Sequence, residues 1–240
     1  MSTVERTIKD LVIANRILAN LGIVDAFGDV SARHPTEPDR FFLARPVSPA
    51  AVVRADIIEF GGDGTPLRSD NRELPRERFI HAAIYQARTD LKAVLHASHE
   101  DLLPFGITNT PLQPVIASVG DMGLHVPVWD IARRFRSATH VSTLEQGRDL
   151  AGCLDNKRIC LIRGAGFVVT GRTLNDLVRL SAYVPRNGRA IMDATPFGRI
   201  TNISPGEVKA RLAIDPESNA LRRGWEYWAR QAGCAELLAD

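Results

Sequence analysis

The stretch Ile159-Cys-Leu-Ile-Arg-Gly-Ala-Gly-Phe-Val-Val-Thr-Gly171 constrains the fold more than any other. Two short apolar runs flank Gly164-Ala165-Gly166, which reads as two buried strands joined by a tight glycine turn. Such a turn brings backbone close to a ligand and aims one side chain into a site. Here that side chain is the methyl group of Ala165, which can neither ligate a metal nor move a proton.

Other elements follow from period and punctuation. Val4, Ile8, Leu11, Val12, Ile17, Leu18 and Leu21 recur at helical spacing, and Gly22 ends the pattern. Asp29–Arg33 and Arg40–Ala44 read as short strands, and 57–60, 61–64 and 65–67 as a strand, a turn and its return. Pro75 is expected to open a helix whose apolar face is Phe79, Ile80, Ala83 and Ile84, with Glu77 in its first turn. Ala93–His96 reads as a buried strand, and Val126–Trp129 as a sheet edge or strand start. Helices are expected over 144–154, 174–192, 204–212 and 216–232, with Pro185 kinking or interrupting the second. Strands and helices mix without regular alternation and no linker appears, so residues 1–240 read as one α/β domain rather than a doubly wound sheet.

Bulk properties narrow the function classes. A length of 240 residues with 45% apolar content suits one sizeable core. Thirty basic against twenty-eight acidic residues, with no basic block interleaved with aromatics, disfavours nucleic acid as a partner. No apolar run approaches a membrane span, the start is not a signal peptide, and a cytoplasmic location is expected. Cys153, Cys160 and Cys234 form no pairable or metal-like pattern, which fits a reducing compartment.

Chemistry-capable residues gather in four places: Gly28-Asp29-Val30-Ser31, Glu77, His96-Ala97-Ser98-His99-Glu100 and Arg163-Gly164-Ala165-Gly166. On a strand, i and i+2 share a face, so His96 is paired with the Ser98 hydroxyl. His99 joins His96 only if the chain bends after the strand. Zinc takes about four His, Cys or carboxylate ligands, so Ser is a poor choice and Ala none. Each residue also has a structural reading. Glu77 can serve only the helix dipole and Asp29 only a turn. His81 reads as a packed core histidine; His34, His125 and His140 read as loop residues.

At these residues the chain resembles the class II aldolase/adducin family, and most of all its decarboxylase-like branch. The resemblance rests on Gly28-Asp-Val-Ser-Ala-Arg-His-Pro35, Leu74-Pro-Arg-Glu-Arg-Phe-Ile-His81, Ile84-Tyr-Gln-Ala-Arg88, Ala93-Val-Leu-His96, Leu103-Pro-Phe-Gly106, Pro127-Val-Trp-Asp-Ile131, Ile162-Arg-Gly-Ala-Gly-Phe-Val-Val169 and Trp225-Glu-Tyr-Trp228. It implies an α/β/α sandwich around a central, mainly antiparallel sheet, and a homotetramer with the site between subunits. The Trp225/Trp228 face is the expected docking surface. It also implies a divalent metal, commonly zinc, and a small carboxylate or hydroxy-carbonyl substrate. The family acid/base glutamate falls on Glu77 and the first metal histidine on His96. The second and third fall on Ser98 and Ala165, Asp29 stands where members carry Asn or His, and Ala117 replaces another histidine of this branch.

The expectation is therefore a carbon–carbon lyase with Glu77 as catalytic residue, and with Asp29, Ser31, Arg45, Ser98 and Arg163 binding substrate, Arg33 adding to the arginine cluster. Its metal is absent, or a weakly held zinc or manganese on His96 and His99 with Glu77 and Asp29. The competing expectation is a non-catalytic, adducin-like binding or scaffolding protein.

Overall fold

The computed structural model of the chain describes residues 1–68, 71–136 and 138–238. Its helices are α1 (Thr3–Asn20), α2 (Arg78–Ala87), α3 (Leu103–Ile107), α4 (Leu144–Leu154), α5 (Leu174–Ala194), α6 (Pro205–Leu212), α7 (Asn219–Gln231) and α8 (Ala235–Leu238). Its strands are β1 (Asp29–Arg33), β2 (Arg40–Ala44), β3 (Ile57–Gly61), β4 (Ala93–Ala97), β5 (Val128–Trp129), β6 (Ile159–Ile162) and β7 (Gly166–Gly171). The seven strands form one sheet in the order β3-β2-β1-β4-β7-β6-β5. Every pairing is antiparallel except β5 with β6.

Strand alternation assigns each face to a helical layer. Val30, Ala32, Phe42, Leu95, Leu161, Phe167 and Val169 pack in one core with α1, α5 and α7. Phe41, Leu43, Phe60, Val94, Cys160, Ile162 and Val168 pack in the other, under α2 and α4. The result is the α/β/α sandwich with a mainly antiparallel sheet that the family resemblance implied. His96, two residues beyond Val94, thereby belongs to the α2/α4 face.

Four expectations are corrected. Helix α2 starts at Arg78, so Glu77 is its N-cap rather than a first-turn residue, and Pro75 lies in the preceding turn. The return after β3 shrinks to a single bridge between Phe60 and Pro66. Helix α5 runs unbroken through Pro185, held by packing on α1, β7 and α7. Trp225 and Trp228 are only 9% and 8% exposed, because they close the chain's own core beside Tyr183. They offer no docking face, and the tetramer rests on the family resemblance alone. Among the described residues no helix is long and apolar enough to cross a membrane.

The α5 layer is tied to the sheet by a buried charge network. Asp121 accepts from Arg158 and Arg179, while Asp176 accepts from Arg158 Nη2 at 2.7 Å and from the Arg172 amide at 3.0 Å. Burial alone would raise the Asp176 carboxyl; Arg158, the Arg172 amide and Arg179 together hold it below its ordinary range. These arginines serve the fold and line neither cavity at the ends of β1, β4, β6 and β7.

Candidate functional site

Four neighbouring inner strands end together on one side of the sheet: the starts of β1 and β7 and the ends of β4 and β6. Two glycines make the meeting possible. Gly28 has φ +119°, and a Cβ there would lie 2.5 Å from Val24 Cγ1. Gly166 has φ +137°, and a Cβ there would lie 2.1 Å from the Ala97 carbonyl oxygen. The Gly164–Gly166 turn therefore sits directly against the end of β4, with the Ala165 methyl at the surface of a cleft.

Two adjoining cavities open there. The larger, about 610 Å³, is lined by Phe27, Asp29, Glu77, His96, Ser98 and Ala165 among others. The smaller, about 310 Å³, has an apolar wall of Ile80, Trp129, Ile131, Val141 and Ile162, with Arg163 at its side. Glu77, His96, His140 and Ala165 line both, so they mark the junction.

Register places the acid and base residues. Asp29 on β1 is paired with His96 on β4, and Asp29 Oδ2 lies 3.8 Å from His96 Nδ1. That is an ion-pair distance, too long for a hydrogen bond. Glu77 caps α2 by its backbone only, since its side chain makes no capping bond. Its half-buried carboxylate is thereby left to the cavity. Arg163 Nε pairs with Asp130 at 2.7 Å, and a guanidinium has further N–H donors for an anion.

Beneath this layer runs a polar column. Ser31 Oγ lies 2.7 Å from His81 Nδ1 and 2.9 Å from the Tyr85 hydroxyl, and all three residues are buried. Burial pushes the His81 imidazole down to about 4; Asp29 acts against that shift and His96 adds to it. Folded His81 is thus neutral where an unfolded histidine, at 6.5, would take a proton. The native state binds fewer protons between pH 4 and 6.5, so this stabilisation is complete above 6.5 and is lost as pH falls toward 4. The expected loss is roughly 3 kcal/mol. Burial pushes the Asp10 carboxyl up to about 6, with the opposite effect over the same range. The difference between the natural protein and His81→Asn therefore isolates the term. Urea unfolding at pH 7 and pH 4.5 should show a steeper loss in the natural protein, and parallel losses would refute this role of burial.

Several residues expected to serve the site lie elsewhere. Ser31 is fully buried under the site rather than facing substrate. Arg45 donates to Asp56 at 2.7 Å and lines neither cavity. Arg33 is consumed by the carbonyls of Pro38, Tyr85, Leu91 and Arg88. The chain does bend after Ala97, but His99 turns to Asp101, accepting its amide N–H at 3.2 Å, and leaves the cleft. Ala117 lines neither cavity. Conversely, His140 reaches the junction through an irregular loop, and Trp129 and Val141 wall the small cavity. Of these only Trp129 had a sequence signal, the strand start read over Val126–Trp129.

The divalent metal that the resemblance implies does not fit this donor set. His96 alone remains of the three histidine positions, beside a hydroxyl at Ser98 and a methyl at Ala165. Among the described residues no group of three or more His, Cys, Asp or Glu side chains is placed to hold a metal ion. His99 is thereby removed from the ligand set, and His96 stands with Asp29 instead of with a second imidazole.

Comparison with known proteins places the chain, though not its individual site residues, in a family. Decarboxylase tropJ of Talaromyces stipitatus is 25% identical over 249 residues, covering 93% of each chain. The 4-hydroxy-3-prenylphenylpyruvate oxygenase/4-hydroxy-3-prenylbenzoate synthase of Streptomyces roseochromogenus is 28% identical over 170 residues, 68% of this chain and 58% of that one. Among solved structures, an aldolase II superfamily protein from Pseudomonas syringae superposes with TM-score 0.80 at 18% identity, covering 99% of this chain and 96% of the other. L-fuculose 1-phosphate aldolase gives 0.74 at 17% identity, over 88% and 96%. The model of the class II aldolase and adducin N-terminal domain matches residues 9–189, and the chain belongs to that family.

Proposed function

We propose that the protein is a carbon–carbon lyase acting on a small carboxylate with an aromatic or hydroxylated body. The observation that carries this reading is the junction itself, where Glu77, His96 and Asp29 meet an apolar lobe flanked by Arg163. The apolar lobe suits a ring, and Arg163 suits an anionic oxygen. Of two relatives, one is named a decarboxylase, which supports the bond cleaved, and the other a prenylphenylpyruvate oxygenase/prenylbenzoate synthase, which supports an aromatic carboxylate.

The chemistry follows from positions. Arg163 holds an anionic oxygen of the substrate, and the walls Trp129, Ile131 and Ile162 exclude water from the ring. When the bond to the departing carbon breaks, its electron pair passes into the ring or an adjacent carbonyl. Glu77, which reaches both cavities, supplies the proton that quenches the resulting carbanion. His96, with Asp29 behind it, takes or gives the hydroxyl proton that such a substrate exchanges. Arg163 and the N-terminus of α2 supply the positive potential that steadies developing charge.

A melting screen of hydroxybenzoates, aryl keto acids and aliphatic hydroxy acids tests the reading. An aromatic carboxylate should raise the melting temperature, with carbon dioxide or aldehyde release following. Arg163→Ala should lose the shift. No stabilising carboxylate, or an undiminished shift in Arg163→Ala, would sink the proposal. The missing imidazoles at 98 and 165 favour one other reading, a ligand-binding member without turnover; a melting shift with no product would select it.

A further inference from the structure

The cysteines were not expected to pair, yet the fold brings two together. Cys153 near the end of α4 and Cys160 on β6 place their Sγ atoms 3.9 Å apart. Cys160 is fully buried, while Cys153 is half-buried and open to solvent on one side. Neither lines the cavities, but both are wired to them. One turn before Cys153, Asp149 accepts the Trp129 indole N–H at 2.8 Å and pairs with Arg134 at 2.9 Å. Two residues after Cys160 on the same strand face, Ile162 walls the same lobe as Trp129.

We propose that Cys153 and Cys160 form a peroxide-responsive thiol pair, and that closing their disulfide reshapes the apolar lobe through α4 and Trp129. The second clause rests on the site proposed above; the first does not. Cys153, the accessible sulfur, attacks one oxygen of a hydroperoxide. The O–O bond breaks, the other oxygen takes the Cys153 thiol proton and leaves as water or alcohol, and Cys153 becomes a sulfenic acid. The Cys160 sulfur then attacks the Cys153 sulfur, the S–O bond breaks, and water departs with the Cys160 proton. The two thiols lose two electrons and the peroxide gains them.

Local chemistry agrees with that order. The Cys160 thiol donates to Cys153 and holds the Cys153 thiol below its ordinary value; burial and the Asp149 carboxylate work against this, and Arg133 assists it. The same bond and burial push the Cys160 thiol up, which makes Cys153 the first sulfur to react and Cys160 the slower, resolving one. A disulfide needs about 2.05 Å between sulfurs, so the pair must close by about 2 Å. Strand β6 is fixed between β5 and β7, which leaves α4 to move.

The test uses the full chain treated with hydrogen peroxide, then denatured and alkylated. Two of the three thiols should be lost to alkylation, with peptide mapping linking Cys153 to Cys160. Cys160→Ala should stop at a sulfenic acid on Cys153, trapped by dimedone, and Cys153→Ser should retain its thiols. Tryptophan fluorescence should change on oxidation and recover with dithiothreitol, and Trp129→Phe should abolish the change. Three alkylatable thiols after peroxide, or a bond that uses Cys234, overturns the pair. A Cys153–Cys160 bond without a Trp129 signal overturns the coupling while leaving the proposed lyase site untouched.

Discussion

The double substitution Ser98→His with Ala165→His is expected to create a zinc site, while the natural chain is expected to hold far less than one zinc. Ser98, Ala165, His96 and Glu77 already line one cavity of about 610 Å³, and the first two are exposed within it. The variant would present three imidazoles and a carboxylate, a set that zinc favours. His96 Nδ1 lies toward Asp29, at 3.8 Å, which leaves Nε2 for a metal and supplies the carboxylate that commonly orients a ligating histidine. The close contact of Gly166 with the end of β4 fixes the turn that would carry the new residue. A dissociation constant on the order of micromolar, about 8 kcal/mol of binding, is a modest target beside structural zinc sites at roughly 10–16 kcal/mol. Zinc at 100 times that constant should stabilise the double variant by about 2.7 kcal/mol and leave the natural protein unmoved. Elemental analysis and zinc titration decide. Near-stoichiometric zinc in the unaltered protein would overturn the reading of positions 98 and 165. A folded double variant that gains no zinc affinity would show that Asp29 and the surrounding walls no longer accept a metal.

What the sequence disclosed depended on the range of the interactions involved. The strand pair around Ala165 was legible because apolar runs bounded by glycine encode β6 and β7 locally. Strand alternation followed from the sequence: Asp29 and Ser31, two residues apart on β1, lie with His96 on one side of the sheet. Depth did not, because whether a polar residue meets solvent depends on what packs above it. Ser31 was expected to bind substrate, but α2 lays His81 and Tyr85 over it. The arginines failed for a related reason. Residue type says that a guanidinium seeks oxygen and not which oxygen, and Arg33 and Arg45 found carbonyls and Asp56. His140 was missed because its loop has no period, and the two thiols because a helix and a strand seven residues apart meet only in three dimensions.

Glu77→Gln is expected to cut turnover by about 10²- to 10⁴-fold on the carboxylate that the melting screen selects, the usual contribution of a positioned acid or base. Gln keeps the shape of the side chain and removes its ability to carry the proton. Helix α2 should not suffer, because Glu77 caps it through backbone geometry without a side-chain bond. Unfolding free energy should therefore change by less than about 0.5 kcal/mol, as for other substitutions away from buried partners. The substrate's anionic oxygen is assigned to Arg163 instead, so KM should stay nearly constant in Glu77→Gln and rise in Arg163→Ala. Glu77→Asp, which retains the carboxyl one methylene short, should recover part of the lost rate. That pattern separates a proton donor from a residue that merely shapes the junction, for which Gln would be nearly silent and Asp the more harmful change. Unchanged kcat in a folded Glu77→Gln would remove Glu77 from the reaction and shift the proton transfer to His96, the other titratable group that reaches both cavities alongside His140.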